Sequence, residues 1–197
     1  MKDVITLNQE SFSKACLELY RKVEDDGYQP DWVIGIASGG VKLLDELPLK
    51  NREKGLEVNL KRPSTKYKHD MSWIKFLPKV ILDNLRRVES YFVEKKTKKS
   101  LLKNSNYRNS DKLNNVTAQL ESMKCNFSHS KILIVDDAID SGMTMSVVQQ
   151  AILLFDSSAT VKTAVIVRTL KSQFFKPDFF LFNEVLIRFP WSKDYIK

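Results

Sequence analysis

Two adjacent aspartates stand between a short apolar run and a loop of small residues, in the stretch KILIVDDAIDSGMTMS at 131–146. The apolar run predicts a buried strand that brings Asp136 and Asp137 to its end. The loop at 140–144 leads into a helix, so backbone N–H groups and the helix dipole favour a phosphate there. The carboxylates would repel a second phosphate, but they can accept hydrogen bonds from sugar hydroxyls or hold a divalent cation through water. A phosphate beside a diol is the pattern of a ribose 5-phosphate.

Two other interpretations compete with a sugar-phosphate site. An apolar strand ending in an acidic pair resembles the opening of a response-regulator receiver domain, whose acids bind magnesium. In that family the pair lies near the start of the domain, whereas only 60 residues follow Asp137 in this chain, too few for the rest of such a sheet. In the second interpretation the acids merely cap a strand and the loop is an ordinary turn, with Asp140 as the helix N-cap.

The chain as a whole is long enough and apolar enough to bury a core. It has 197 residues, 43% apolar and 28% charged, with 6 Gly and 6 Pro, which excludes general disorder and low-complexity classes. It contains no apolar run of 18 residues, and its first residues lack the apolar core of a signal peptide. Cys16 and Cys125 make no disulfide framework, so we expect free thiols and a cytoplasmic location.

Positive charge exceeds negative charge by 8, which favours an anionic partner without choosing among nucleic acid, acidic lipid and a small polyphosphate. We interpret the mid-chain lysine cluster as a solvated helix end or loop, with a binding patch as the alternative. A nucleic-acid partner is disfavoured, because no aromatic residues interleave with the cluster and no nucleic-acid module is recognisable. The cluster consists of Lys95, Lys96, Lys98, Lys99 and Lys103. His69 and His129 have no other ligands at metal-binding spacing, so we expect no zinc site.

Apolar runs alternate with amphipathic segments, which predicts an α/β fold with a parallel sheet flanked by helices. Predicted strands cover 32–36, 56–60, 132–135, 161–167 and 179–187. Predicted helices cover 12–23, 41–47, 73–92, 116–123 and 145–155. Asn8 or Ser11 is the expected cap of the first helix and Gly27 its end, while Pro78 bends or delays the third. Residues 94–115 predict a Lys- and Asn-rich connection.

Ligands of such sheets bind beyond the carboxyl ends of the strands, so the loops at 37–40 and 136–144 form the candidate site. The second loop, DDAIDSGMT, resembles the phosphoribosyl-pyrophosphate (PRPP) signature of type I phosphoribosyltransferases. The resemblance implies that Asp136 and Asp137 bind the ribose hydroxyls. It implies that the 5-phosphate is bound by Asp140, Ser141, Gly142, Met143 and Thr144.

Two further stretches, one near each end of the chain, resemble segments of the same family. The stretch DWVIGIASGG resembles the strand and loop that bind pyrophosphate, with Ala37, Ser38, Gly39 and Gly40 as the implied ligands. The C-terminal KPDFFLFNEVLIRFPW resembles the hood segment of the xanthine–guanine group and its archaeal relatives, notably at residues 189–191.

The resemblance also assigns roles around the base. Asp140 is similar to the residue that 6-oxopurine enzymes use as the proposed general acid/base at purine N7, and a carboxylate there can accept the proton that leaves the ring. Arg168 stands near a lysine position that donates to the exocyclic oxygen, although an ordinary surface arginine is the alternative. Leu186 stands where the family tryptophan stacks on the purine.

Three positions depart from the family pattern. Ser38 replaces an arginine of the pyrophosphate loop, Leu186 replaces the stacking tryptophan, and Ser192 replaces the acidic residue that commonly follows the hood tryptophan. Residues 61–68 follow the second strand, where family members have a flexible loop that closes over the reacting centre. The basic residues expected to face the leaving pyrophosphate are Arg62, Lys66 and Lys68.

The resemblance, together with the ribose 5-phosphate pattern, implies a phosphoribosyltransferase that moves ribose 5-phosphate from PRPP to a 6-oxopurine-like base, with Mg²⁺ held mainly through PRPP near Asp136 and Asp137. One domain is expected over 1–197, with an insertion at 61–130 and the hood at 170–197. We expect PRPP, a nucleobase and a second copy of the chain as partners, and neither a membrane nor nucleic acid. The alternative is a non-catalytic or regulatory protein that binds PRPP or a nucleotide in the same pocket.

Overall fold

The computed structural model describes residues 2–49, 55–60, 77–102, 110–171 and 173–195. These residues form seven strands and five helices in the order β1 (Val4–Thr6), α1 (Gln9–Asp25), β2 (Trp32–Ile36), α2 (Gly39–Glu46), β3 (Gly55–Val58), α3 (Lys79–Leu102), α4 (Ser110–Ser122), β4 (Lys131–Ile139), α5 (Met143–Phe155), β5 (Thr160–Arg168), β6 (Phe179–Asn183) and β7 (Leu186–Arg188). The predictions for 61–68 and 73–76, and for His69 and Lys103, lie outside the described residues.

Five strands form one parallel sheet in the order β3-β2-β4-β5-β6, which confirms the predicted α/β class. β2 and β4 are neighbours, with Trp32 opposite Ile132 and Gly35 opposite Val135. Because parallel strands end at the same edge, the loops after β2 and β4 lie next to each other. The sheet therefore places both predicted halves of the site at one edge.

Both faces of this sheet are covered, because successive residues of each strand point to opposite sides. On one face Val33 and Leu133 pack with α1 and α2. On the other face Ile34 and Ile134 pack with α4 and α5. The uninterrupted apolar strands of the sequence are thus buried on both sides, as expected for a parallel sheet.

Capping residues mark the start and the end of the first helix, as predicted. The backbone N–H of Ser11 donates to Asn8 Oδ1 at 2.8 Å, so Asn8 is the N-cap of α1. Gly27 follows the helix at φ +72°, a left-handed conformation that suits glycine. In the middle of the chain, the N–H groups of Ile81 and Leu82 donate to the Pro78 carbonyl, so α3 begins directly after that proline.

The C-terminal strand prediction is wrong in one respect. A single strand was predicted over 179–187, but the chain turns at Glu184, which has φ +57° and donates its N–H to the Arg168 carbonyl. β6 stays in the main sheet, whereas β7 pairs in parallel with β1 in a separate two-stranded sheet. The pairing strand β1 has only three residues, too few to show a period in the sequence.

The predicted connection at 94–115 is also wrong where the structure describes it. Residues 94–102 continue α3, and residues 110–115 belong to α4. Lysine is a good helix former, and Glu94 forms ion pairs with Lys98 at 3.1 Å and with Lys2 at 3.3 Å. One local ion pair and one pair with the N-terminal segment therefore stabilise α3 in a segment whose composition resembles a loop.

A buried arginine joins the C-terminal part of the chain to α3. The side chain of Arg188 is only 3% exposed and donates to Asp83 at 2.6 Å, Asp194 at 2.9 Å and Thr6 at 3.0 Å. Arg86 of α3 forms two further hydrogen bonds of 2.6 Å with Asp194. We call these five residues the Arg188 network. Every charge in it has an oppositely charged partner, as burial requires.

The network predicts a pH dependence of stability. Burial alone would raise the pKa of Asp194, but hydrogen bonds and charges from Arg86 and Arg188 outweigh it and lower the pKa to about 2. A lowered pKa stabilises the fold above the ordinary value of 3.8, and this contribution disappears as the pH falls through 2. Urea unfolding is therefore expected to show the wild type losing about 2 kcal/mol of its advantage over Asp194→Asn between about pH 5 and pH 2. An advantage that stays constant would contradict the assignment.

Candidate active site

The acidic pair lies inside β4, not at its end. The strand continues past Asp136 and Asp137 to Ile139, which pairs with Arg168 of β5, so the prediction that it ends at Val135 is wrong. The adjacent strand β5 extends equally far, and Asp136 and Ala138 pair with Val165 and Val167 of that strand. Asp136 is buried, and its Oδ1 accepts a hydrogen bond of 2.9 Å from the N–H of Asp137. The Asp137 side chain is half-buried.

Two glycines let the β2–α2 loop rest directly on β4. A Cβ on Gly39 would lie 2.1 Å from Cγ of Asp137, and one on Gly40 would lie 2.3 Å from the Val135 carbonyl oxygen. Neither position has room for a side chain. The predicted pyrophosphate loop and the predicted ribose carboxylate are therefore in direct contact.

The same loop begins α2 at its tip. Ser38 is exposed and precedes the helix without a side-chain capping hydrogen bond, and the Ala37–Ser38 peptide is cis. The Ala37 N–H donates to the Val58 carbonyl at 3.0 Å, which ties the loop to β3. The first N–H groups of a helix have no partner within it. The start of α2 thus offers backbone donors to an anion beside Asp137.

The second loop ends at Gly142, which corrects the helix-cap alternative. Gly142 is the N-cap of α5 at φ +81°, and a Cβ there would lie 2.5 Å from the Phe175 carbonyl oxygen. Asp140 stands two residues before the cap and is not the cap. Ser141 holds the loop through its carbonyl, which accepts from the Phe174 N–H at 2.8 Å. The first turn of α5, which includes Met143 and Thr144, directs its backbone N–H groups toward this loop.

Asp140 is exposed, and residues after β5 hold it in place. Thr169 Oγ1 donates to Asp140 Oδ1, and the Thr169 N–H donates to the Ile139 carbonyl at 3.0 Å. Gln173 Nε2 donates to the Asp140 carbonyl at 2.8 Å. Neither Thr169 nor Gln173 was predicted from the sequence. The sequence offers only one indication of such a role, which is that Thr169 directly follows β5, the strand beside β4.

Thr169→Val tests whether this hydroxyl positions Asp140. The substitution keeps the shape and removes the donor, so loss of one hydrogen bond is expected to lower kcat about 3- to 10-fold. Steady-state rates of the pyrophosphate release that the sequence leads us to expect measure this, with Thr169→Ser as the conservative variant that restores the rate. A Val variant as fast as the Ser variant would contradict the positioning role.

Arg168 is held at the carboxyl end of β5. Its side chain is 14% exposed, its guanidinium lies 5.3 Å from the Phe180 ring centre, and its Nη2 lies 3.8 Å from Glu184 Oε1. Its buried Nε has no hydrogen-bond partner among the described residues. These contacts are not those of an ordinary surface arginine, the alternative offered by the sequence. Its role toward a base stays a prediction.

The C-terminal residues pack mainly on the first helix. Leu186 is buried in β7 opposite Val4 of β1. Its predicted contact with a base stays a prediction. Phe189 and Trp191 stack with ring centres 5.0 Å apart, and both contact Phe12 of α1 edge-on. The aromatic residues of the FPW motif therefore stabilise the packing of this segment on α1. Ser192 Oγ accepts from the Phe189 N–H at 3.0 Å.

Three further predictions concern the cysteines, a metal site and membrane-spanning helices. Cys16 is buried and Cys125 half-buried, and both are free. Burial raises the pKa of the Cys16 thiol to about 12, and the charge of Glu46 adds to this increase. The described part of the chain holds no group of three or more His, Cys, Asp or Glu residues that could bind a metal, and His129 there is exposed. Among the described helices, none has the length and apolarity needed to cross a membrane.

The fold and the two loops define a class of protein, namely an α/β protein whose parallel sheet carries two neighbouring loops at its carboxyl edge, each leading into a helix. Residues 6–195 match the family model of the phosphoribosyl transferase domain. The chain therefore belongs to the phosphoribosyl transferase family, and it is a PRPP-dependent glycosyltransferase.

Solved structures share this fold at low sequence identity. The purine phosphoribosyltransferase of Pyrococcus horikoshii is 18% identical with a TM-score of 0.56, over 99% of this chain and 97% of that one. The xanthine-guanine-hypoxanthine phosphoribosyltransferase of Helicobacter pylori is also 18% identical with a TM-score of 0.56, over 95% and 93%. A Neisseria gonorrhoeae protein with bound ppGpp has the same identity and TM-score, over 97% and 90%. No curated protein is similar enough to count as a match.

Proposed function

We propose that this enzyme transfers ribose 5-phosphate from PRPP to a 6-oxopurine base and releases pyrophosphate. The observation that supports it most directly is the contact between the pyrophosphate loop and β4, where Gly39 lies against the carboxylate of Asp137. PRPP carries its pyrophosphate on the anomeric carbon, next to the ribose diol. A substrate of this shape needs its pyrophosphate donors and its diol acceptors side by side.

Each end of PRPP has donors or acceptors of matching chemistry. The N–H groups at the start of α5 bind the 5-phosphate, and those at the start of α2 bind the pyrophosphate. The carboxylates of Asp136 and Asp137 accept hydrogen bonds from the ribose hydroxyls. Displacement at the anomeric carbon builds positive charge on the sugar ring, and fixed donors on the departing pyrophosphate stabilise the charge that develops there.

Magnesium fits this site only with the help of the substrate. No group of three ligating side chains occurs among the described residues, whereas Asp136 and Asp137 are oxygen ligands of the kind that Mg²⁺ binds through water. We propose that Mg²⁺ is held mainly by PRPP near these two residues. When bound, it offsets charge on the leaving pyrophosphate.

Asp140 handles the proton. When the bond from the anomeric carbon to the pyrophosphate oxygen breaks, purine N9 forms the new bond and the ring must lose a proton. The Asp140 carboxylate, held at Oδ1 by Thr169, accepts this proton from N7. Arg168 donates to the exocyclic oxygen that distinguishes a 6-oxopurine from adenine. These two residues support the choice of base class.

A second function is favoured by two positions. Ser38 supplies no charge to a pyrophosphate, and Leu186 supplies no ring to stack on a base, so binding without transfer is the competing proposal. The structural neighbour that holds ppGpp shows that a chain of this fold can carry a guanine nucleotide. In either case we propose a cytoplasmic location, since Cys16 and Cys125 are free thiols.

The deciding experiment measures pyrophosphate release with PRPP, Mg²⁺ and a panel of bases. Release with hypoxanthine, guanine or xanthine, and none with adenine or orotate, is the expected result. Release only with adenine or orotate would contradict the base class. No release with any base, together with PRPP binding that Asp137→Asn abolishes, would favour the non-catalytic function instead.

A further inference from the structure

Helix α3 contacts the rest of the molecule mainly through polar side chains, with Leu82 as a buried apolar residue among them. Besides the Arg188 network, Arg86 Nη1 donates to the Ile187 carbonyl at 2.8 Å, and Arg87 Nε donates to the Lys2 carbonyl at 3.0 Å. Lys2 Nζ in turn donates to Ser90 of α3 at 3.0 Å. Charged and hydroxyl groups therefore fix α3 against β7 and the N-terminal segment.

The outward side of α3 carries most of the large apolar side chains of this helix, which is the opposite of the pattern expected for a helix on a monomeric protein. Six of the ten large apolar side chains that are exposed among the described residues lie on this helix, each 44–69% exposed. They are Val80, Ile81, Leu85, Val88, Tyr91 and Phe92, and we call them the α3 stripe. An exposed patch of this kind marks an interaction surface.

The spacing of the stripe indicates what covers it. Ile81, Leu85, Val88 and Phe92 are separated by four, three and four residues, the spacing of a seam between two paired helices. This order is the same in both directions, with its centre between Leu85 and Val88. A two-fold contact requires such self-complementarity, because residue i meets residue j and residue j meets residue i. In an antiparallel pair, Ile81 would meet the partner's Phe92 and Leu85 the partner's Val88.

Charge and area favour the same arrangement. Four lysines, Lys95, Lys96, Lys98 and Lys99, lie toward the C-terminal end of α3. Antiparallel pairing places the two clusters at opposite ends of the contact, whereas parallel pairing would set them side by side. The exposed fractions of the stripe correspond to about 600 Å² on each copy, close to the ~800 Å² that each partner contributes to a standard interface.

We propose that the α3 stripe binds the α3 stripe of a second copy of this chain, antiparallel across a two-fold axis. The inference does not depend on the proposed reaction, because no residue of the stripe belongs to the candidate site. The dimer would place one active site in each copy, independent of the contact.

Sedimentation equilibrium of the full chain tests the proposal. The wild type is expected to form a dimer of the 22.8-kDa chain, and Leu85→Glu to weaken dimerisation by at least about 30-fold, because it places a charge in the centre of the contact. Leu154→Glu is the matched control, since Leu154 is an exposed leucine of α5, and it should dimerise like the wild type. Circular dichroism checks that each variant is folded.

Several results would overturn the proposal. They are a wild type that stays monomeric, a Leu85→Glu variant that dimerises like the wild type, and equal weakening by Leu154→Glu. A monomer that co-sediments with phosphatidylserine vesicles would assign the stripe to a lipid surface instead.

Cysteine cross-linking tests the direction of the pair. Ile81 and Phe92 are about 16 Å apart along the helix, too far for a bond between them within one chain. Under mild oxidation the double variant Ile81→Cys, Phe92→Cys should give covalent dimers, and neither single variant should do so. Cross-linking by each single variant would indicate parallel helices and overturn the antiparallel model.

Discussion

Replacing Asp140 with asparagine is expected to lower kcat for a 6-oxopurine by about 10²- to 10⁴-fold, the range for loss of a general acid or base. Asparagine has nearly the same shape, and its side-chain oxygen can still accept the hydrogen bond from Thr169 Oγ1. It cannot take a proton from the purine ring. Affinity for PRPP should change little, because the loop backbone, not this carboxylate oxygen, binds the 5-phosphate. Steady-state pyrophosphate release and calorimetric titration with PRPP separate the two effects.

The control for this experiment is Asp25→Asn, an exposed aspartate at the end of α1, remote in the fold from the carboxyl edge of the sheet. It should keep the wild-type kcat. If Asp140→Asn retained at least half of the wild-type kcat, the proton would have to leave by another route, and the assignment of the catalytic base would be wrong. A large loss of PRPP affinity would instead show that Asp140 acts in binding.

Replacing Gly39 with alanine is expected to weaken PRPP binding by at least about 100-fold. The new Cβ would stand 2.1 Å from Cγ of Asp137, far inside van der Waals contact, so either the carboxylate or the α2 N-terminus must move. Each hydrogen bond to a charged group contributes about 1.5–3 kcal/mol, and the shift misaligns bonds to both the ribose and the pyrophosphate. Titration calorimetry with PRPP and Mg²⁺ measures the dissociation constant directly.

Gly27→Ala provides the contrasting glycine variant. A Cβ at Gly27 meets no atom within 4 Å, but its φ of +72° is unfavourable for alanine. This variant should lose about 1 kcal/mol of stability and bind PRPP like the wild type. The same affinity in Gly39→Ala as in Gly27→Ala would show that the contact with Asp137 has no part in PRPP binding.

The sequence predicted the central sheet and the place of the two candidate loops after its strands, for a local reason. Runs such as Trp32–Ile36 are apolar throughout, and this pattern is readable over five residues. Once two such strands lie in one parallel sheet, their following loops meet at the same edge. The motif DDAIDSGMT and the glycine pair at 39–40 could therefore be placed together without knowing any distance.

Other parts of the site were not readable from local pattern. Thr169 contacts Asp140 across 29 positions of the chain, and a single hydroxyl residue after a strand has no distinctive spacing. The cap of α5 was assigned to Asp140 as one alternative, because aspartate is a common N-cap. The close approach of Phe175 to Gly142 involves a segment that sequence spacing did not connect to the loop.

By itself, the sequence determined the class of fold, the succession of its main strands along the chain and the positions of the two candidate loops, because each depends on a short run of neighbouring residues. The tertiary structure alone decided that β7 leaves the main sheet for β1, that Arg188 draws the polar side of α3 inward, and that the apolar side of α3 faces outward. These features arise between segments about 100 or more residues apart. The sequence of an amphipathic helix shows that the helix has two faces. Which face is buried depends on residues of other segments, here Arg188 and Asp194, which bind charged side chains of α3.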